Sequence, residues 1–101
     1  MAITEGEIDA ITADRVLPAV GIPGATKWKP FWGRLFEDHE RVYLLGDGDK
    51  AGREFCDKLV EKVPNAQPVV FPAGHDVNSY FLEHGEEALS AFILGGEPDA
   101  I

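Results

Sequence analysis

The stretch RVYLLGDGDKAGREFCDKLV, residues 41–60, leaves the chain little choice of fold. A β-rich apolar run stops at glycine, and an amphipathic helix begins a few residues later. Ala51, Phe55, Leu59 and Val63 recur at helical spacing, and Pro64 lies just beyond. A strand this apolar belongs inside a sheet covered on both faces, which favours parallel pairing with helical crossovers. The turn between strand and helix carries Asp47 and Asp49, flanked by Gly46 and Gly48. Two bare carboxylates at that spacing repel each other, so something should offset the cost.

The remaining segments continue the alternation. Ile8, Ala10, Ile11 and Val16 fall at helical spacings up to Pro18, with a short apolar stretch ahead of them. AVGIPGA, residues 19–25, predicts a brief buried strand. TKWKPFWGRLFEDHE, residues 26–40, predicts a short helix with Pro30 near its first turn and Phe31, Trp32 and Leu35 on its apolar side. QPVVFP, residues 67–72, is a further strand, and two helices follow, each with glycine past its end. Cys56 is expected to pack inward beside Leu59 and Val60. The expectation is one α/β domain over residues 1–94 and a frayed tail over 95–101, with a small, mainly parallel, Rossmann-like sheet of about four strands and helices on both faces.

Composition narrows the partners. The chain has 101 residues, 18 of them acidic and 9 basic, for a net charge of −9. Such a surface repels nucleic acid unless metal ions invert the local field or another polypeptide supplies a basic groove. No apolar run approaches the ~20 residues of a membrane span, and no signal peptide opens the chain. A lone cysteine, Cys56, excludes an internal disulfide and a Cys-rich zinc site. A reducing, cytoplasmic setting is the expectation.

In open parallel sheets, ligands sit outside the carboxyl ends of the strands. Glu5 follows the first predicted strand, Asp47 and Asp49 the third, and Asp76 the fourth, while Asp9 lies one helical turn after Glu5. If the strand geometry persists past Gly46, Asp47 and Asp49 point the same way. These are hard oxygen donors suited to Mg²⁺ or Mn²⁺. Blander readings stand beside this one. An acidic turn after a strand is commonly just solvated, and Asp76 and Asn78 also suit the cap of the next helix. Lys50 and Arg53 either pair with Asp49, Glu54 or Asp57 or touch phosphates. Lys27 and Lys29, set among Trp28 and Trp32, suit a nucleic-acid strand, although tryptophans in a small domain also serve the core. His39, His75 and His84 show no metal-ligand spacing, and His75 reads as a satisfied loop histidine.

ITEGEIDAI, YLLGDGDKAGR and GHDVNSYF, in this order and spacing, resemble the three acidic motifs of the Toprim domain. That domain is shared by bacterial-type DNA primases, phage primase-helicases, topoisomerases and some nucleases and recombination proteins, and the wording is most similar to the primase branch. The resemblance implies metal-dependent nucleotidyl transfer making RNA primers. It implies Glu5, Asp47 and Asp49 as catalytic acids, with Asp9, Asp76 and Asn78 completing sites for one or two Mg²⁺ or Mn²⁺ ions. Asn78 stands where many primases carry a second aspartate. The implied partners are nucleoside triphosphates, a single-stranded DNA template, and other primase regions or a replicative helicase, with no membrane. Lacking a basic template-binding region, the isolated domain is expected to be inactive. A Toprim-type nuclease and a non-catalytic recombination or repair module remain as alternatives. A response-regulator receiver fits poorly, since it needs an adjacent acidic pair after the first strand.

Overall fold

The computed structural model describes residues 1–22, 40–63 and 65–95. Its elements run β1 (Ala2–Thr4), α1 (Glu7–Ala13), β2 (Ala19–Gly21), β3 (Val42–Gly46), α2 (Lys50–Val60), β4 (Ala66–Val70), α3 (Val77–His84) and α4 (Glu86–Leu94). The strands form one sheet in the order β2-β1-β3-β4, and every pairing is parallel. The helix predicted over 26–40, with Trp28, Trp32 and the candidate nucleic-acid contacts Lys27 and Lys29, lies outside the described residues but for Glu40.

Alternation along β3 divides the core in two, because successive side chains in a strand point to opposite faces. Val42 and Leu44 join Ile3, Phe55, Cys56, Leu59 and Val63 on the face covered by α2. Tyr43 and Leu45 join Ala13, Val77, Leu89 and Ile93 on the face covered by α1, α3 and α4. All five residues of β3 are buried, so neither face of this strand meets water. Pro68, which lacks an amide N–H, sits exposed in β4 at the sheet edge, where such a residue is tolerated. The Cys56 thiol donates to the Leu44 carbonyl at 3.3 Å, and burial pushes its pKa up to about 11.

Two helices differ from the periodicity argument. Ile8 and Ile11 are 69% and 72% exposed, whereas Ala10, Thr12 and Ala13 form the buried face of α1. Small residues face inward because α1 packs closely against α3 as well as the sheet. On α2 the inward positions are Gly52, Phe55, Cys56 and Leu59, which leaves Ala51 and Val60 exposed. The first turn of α2 lies so near the end of β3 that only glycine fits there.

The order β2-β1-β3-β4 turns one way from β1 to β2 and the other way from β3 to β4. The switch therefore falls between the carboxyl ends of β1 and β3, where a crevice opens in such sheets. Those two ends lead directly into Glu5 and Asp47.

Candidate metal centre

Three loops build the site. After β1, the buried Thr4 hydroxyl donates to the Gly6 carbonyl at 2.8 Å, which folds the loop back over the strand end. Helix α1 then starts at Glu7 and carries Asp9 in its first turn, where acidic side chains favour the positive end of the helix dipole. After β3, the Asp49 N–H donates to the Asp47 carbonyl at 2.8 Å. Asp49 is the N-cap of α2, and its Oδ1 accepts the Gly52 N–H at 2.6 Å. After β4, Asp76 caps α3: its Oδ1 accepts the Ser79 N–H at 2.7 Å, and its own N–H donates to Ser79 Oγ at 3.0 Å.

Side-chain oxygens of Asp9, Asp47 and Asp76 lie within 4.8 Å of one another. The strand ends at Gly46 and the chain turns, so Asp47 and Asp49 do not continue the strand alternation. Asp47 joins the three-acid group, and Asp49 commits one oxygen to its helix. Glu5 stands outside the group of three but within its field. Burial and then the charges of Asp49 and Asp9 raise its pKa.

The electrostatics of Asp47 are the sharpest. Burial first, then the charges of Asp9, Asp76, Asp49 and Glu5, push its carboxyl from the usual 3.8 to about 6. Asp9 is also raised, chiefly by burial and by Asp76, against the opposing pull of the Asn78 N–H and a hydrogen bond with Asp47. A cation between these groups would offset both the burial and the mutual repulsion that raise these carboxyls. The donor set is entirely carboxylate oxygen, and Asp76 has a second oxygen beyond the one that caps α3. The residues present therefore fit a hard divalent ion such as Mg²⁺ or Mn²⁺.

Glycines set the close approaches. A Cβ on Gly52 would overlap the Asp47 carbonyl oxygen, and one on Gly48 would overlap that of Pro72. The Gly48 N–H donates to the His75 carbonyl at 2.7 Å, which joins the second loop to the third. A concavity of about 110 Å³ lies between them, lined by Asp47, Gly48, Asp49, Gly74, His75 and Asp76.

Asn78 enters the site through its backbone. Its N–H donates to Asp9 Oδ1 at 3.1 Å, while its own Oδ1 accepts the Thr12 hydroxyl at 2.9 Å. Lys50 is 85% exposed and reaches Glu54 at 4.0 Å on the α2 surface. Arg53 is exposed on the same helix. Sequence reasoning gave no role to Gly52 or Thr12 and considered Ser79 only as a nucleophile, which it found unsupported. A glycine inside a helical pattern and a serine three residues after an aspartate were the available signals for the first and third. The Thr12–Asn78 pair had none.

Fold and site together define an α/β domain with an oxygen-donor acidic centre at the carboxyl edge of a parallel sheet. The chain belongs to the Toprim-like family, whose sequence profile matches residues 2–81. It is 49% identical over 90 residues to the gene 57 protein of Mycobacterium phage D29, covering 88% of this chain and 59% of that protein. Among solved structures it is similar to the primase fragment of the bacteriophage T7 primase-helicase protein, with TM-score 0.72, 28% identity, and coverage of 86% of this chain and 40% of the fragment. It is also similar to a DNA primase domain from Pseudomonas aeruginosa, with TM-score 0.77, 28% identity, and coverage of 92% and 32%. The chain thus spans about three fifths of its phage relative and well under half of either primase structure.

Proposed function

We propose that this chain is the Toprim catalytic domain of a DNA primase or primase-helicase, performing metal-dependent nucleotidyl transfer that makes RNA primers. The observation that carries this reading is the convergence of Asp9, Asp47 and Asp76 from three loops to within 4.8 Å. Similarity to a T7 primase fragment and a bacterial primase domain supports the choice among Toprim activities. Asp9, Asp47 and Asp76 would hold a Mg²⁺ or Mn²⁺ ion, and the charges of Glu5 and Asp49 add to the field on Asp47. A bound ion supplies charge neutralisation for a triphosphate and polarisation of its α-phosphorus. Glu5, the acid outside the group of three, faces the same edge and orients the reacting groups. The backbone ties of Gly48 and Asn78 keep the loops from spreading as charge accumulates.

A chain at −9 does not hold a template's phosphates by itself. The ligands are nucleoside triphosphates and a single-stranded DNA template, the latter held by a basic primase region or a partnering replicative helicase. Such a role belongs in the cytoplasm, at the replication machinery. Among the described residues no helix is long and apolar enough to cross a membrane.

The test is an assay of the chain alone and of the chain joined to a basic primase region, each with template, triphosphates and Mg²⁺. Primer synthesis only in the joined form is the expected result. Metal-dependent strand cleavage by the chain alone would replace the primase reading with a nuclease.

A further inference from the structure

The sequence leaves His75 as an ordinary loop histidine, but its surroundings are too specific for that role. Its Nε2 lies 3.2 Å from Glu83 Oε2, and its Nδ1 lies 3.1 Å from Ser79 Oγ. The ring also meets Tyr80 edge-on, with centroids 6.2 Å apart. A carboxylate only accepts, so the ring tautomer that satisfies both contacts carries its proton on Nε2. The Nδ1 lone pair then accepts the Ser79 hydroxyl, and the hydroxyl oxygen accepts the Asp76 N–H at 3.0 Å. The Ser79 proton has a second acceptor in the Asp76 carbonyl at 3.4 Å, longer than its 3.1 Å contact with His75 Nδ1. The His75 backbone does a second job, since its carbonyl receives the Gly48 N–H at 2.7 Å. One residue therefore touches the loop of Asp47 through its carbonyl and the cap of Asp76 through its side chain.

We propose that Glu83, His75 and Ser79 form a positioning relay that locks the Asp76 loop against the Asp47 loop and so sets the spacing of the three-acid centre. The proposal rests on the reading of that centre as a metal site. None of the three belongs to the three-acid group. They act through Asp76 and Gly48. The physical reason for such a device is plain: the loops carry like charges that drive them apart, and a hydrogen-bonded brace opposes that while keeping its own carboxylate, Glu83, exposed and on the far side of the His75 ring from Ser79. Outer-sphere partners of this kind hold ligand orientation, and their loss typically weakens metal affinity 10–100-fold.

The test uses the full chain with two readouts. The first is calorimetric titration with Mn²⁺ of wild type, Ser79→Ala, Ser79→Thr and Glu83→Gln, each first shown to be folded by circular dichroism in chelator. Ser79→Ala keeps the backbone bond to Asp76 but loses the hydroxyl, so Mn²⁺ affinity should fall about tenfold. Ser79→Thr should restore it, and Glu83→Gln should lie between. The second readout needs no metal: in chelator, hydrogen exchange at the Gly48 amide should accelerate in His75→Ala and Ser79→Ala more than exchange at the β3 core amides. A merely structural residue would accelerate both alike. Unchanged Mn²⁺ affinity in Ser79→Ala, or equal acceleration at Gly48 and β3, overturns the relay while the metal reading stands. No Mn²⁺ binding by wild type overturns the metal reading and the relay's function in it, and the exchange data then report whether the loop clamp exists.

Discussion

The Asn78 N–H donates to Asp9 Oδ1 at 3.1 Å across 69 residues of sequence. This bond fixes an acidic side chain of α1 against the start of α3, and the Thr12 hydroxyl on Asn78 Oδ1, at 2.9 Å, closes the same junction. An anion held by a backbone N–H keeps its direction whether or not a cation is present.

Asn78→Ala should therefore destabilise the protein by about 1 kcal/mol, the usual cost of a lost partly buried hydrogen bond. Thr12→Val should cost a similar amount, and the double variant should cost less than the sum. Urea unfolding measures all three. Mn²⁺ affinity should be nearly unchanged in Asn78→Ala, since the N–H to Asp9 remains. A loss of affinity would make the Asn78 side chain a direct ligand.

Asp47→Asn removes one charge from the centre of the acid group. In chelator its stability should match or exceed wild type by an amount on the order of 1 kcal/mol. With excess Mg²⁺ the order should reverse, because wild type gains binding free energy and the variant loses a ligand. Asp57→Asn, on the exposed side of α2, should show no crossover. Thermal melts with and without chelator make the comparison. Strong destabilisation of Asp47→Asn in chelator would mark Asp47 as a structural acceptor.

The raised pKa of Asp47 gives a pH dependence of definite sign. Its folded value of about 6 exceeds the unfolded 3.8, so the native state holds more protons between those values. Metal-free stability contributed by this group should be greatest below pH 4, fall as pH rises to about 6, and then level off. Mn²⁺ affinity should rise through the same window, because the ion displaces that proton. Denaturant melts in chelator and Mn²⁺ titrations, each at about pH 5 and about pH 7.5, report the two trends. A metal affinity independent of pH would separate the ion from Asp47.

Gly52→Ala places a methyl group against the Asp47 carbonyl, which is backbone and cannot swing aside. The gain in helix propensity, about 1 kcal/mol, is smaller than the overpacking cost, so a net loss of about 2 kcal/mol is expected. Weaker Mg²⁺ binding should accompany it, because the shift moves Asp47. Equilibrium unfolding and a metal titration on the same variant check both. Arg53→Ala, the exposed next residue, should leave stability within about 0.5 kcal/mol.

Much of the fold follows from local signals. The apolar run at 42–46, the glycine stop and the 3.6-residue spacing of Phe55 and Leu59 determine a strand, a turn and a helix, because backbone hydrogen bonding and one-sided burial act over a few residues. Alternation of such units determines a parallel sheet, and the sheet's polarity places Glu5, Asp47, Asp49 and Asp76 at one edge. Which of these acids meet was decided by the tertiary structure. Asp49 turns to cap α2, Asp9 reaches in from α1 to join Asp47 and Asp76, and Glu5 stays at the margin. Side-chain direction beyond a strand end depends on the turn and on contacts with distant segments, none of which periodicity reports. The same holds for Ile8 and Ile11, whose helical spacing was visible but whose outward face was set by where Thr12 meets Asn78. His75 is the clearest case: its sequence neighbours suggest a loop residue, and only the folding of α3 brings Ser79 and Glu83 onto the two nitrogens of its ring.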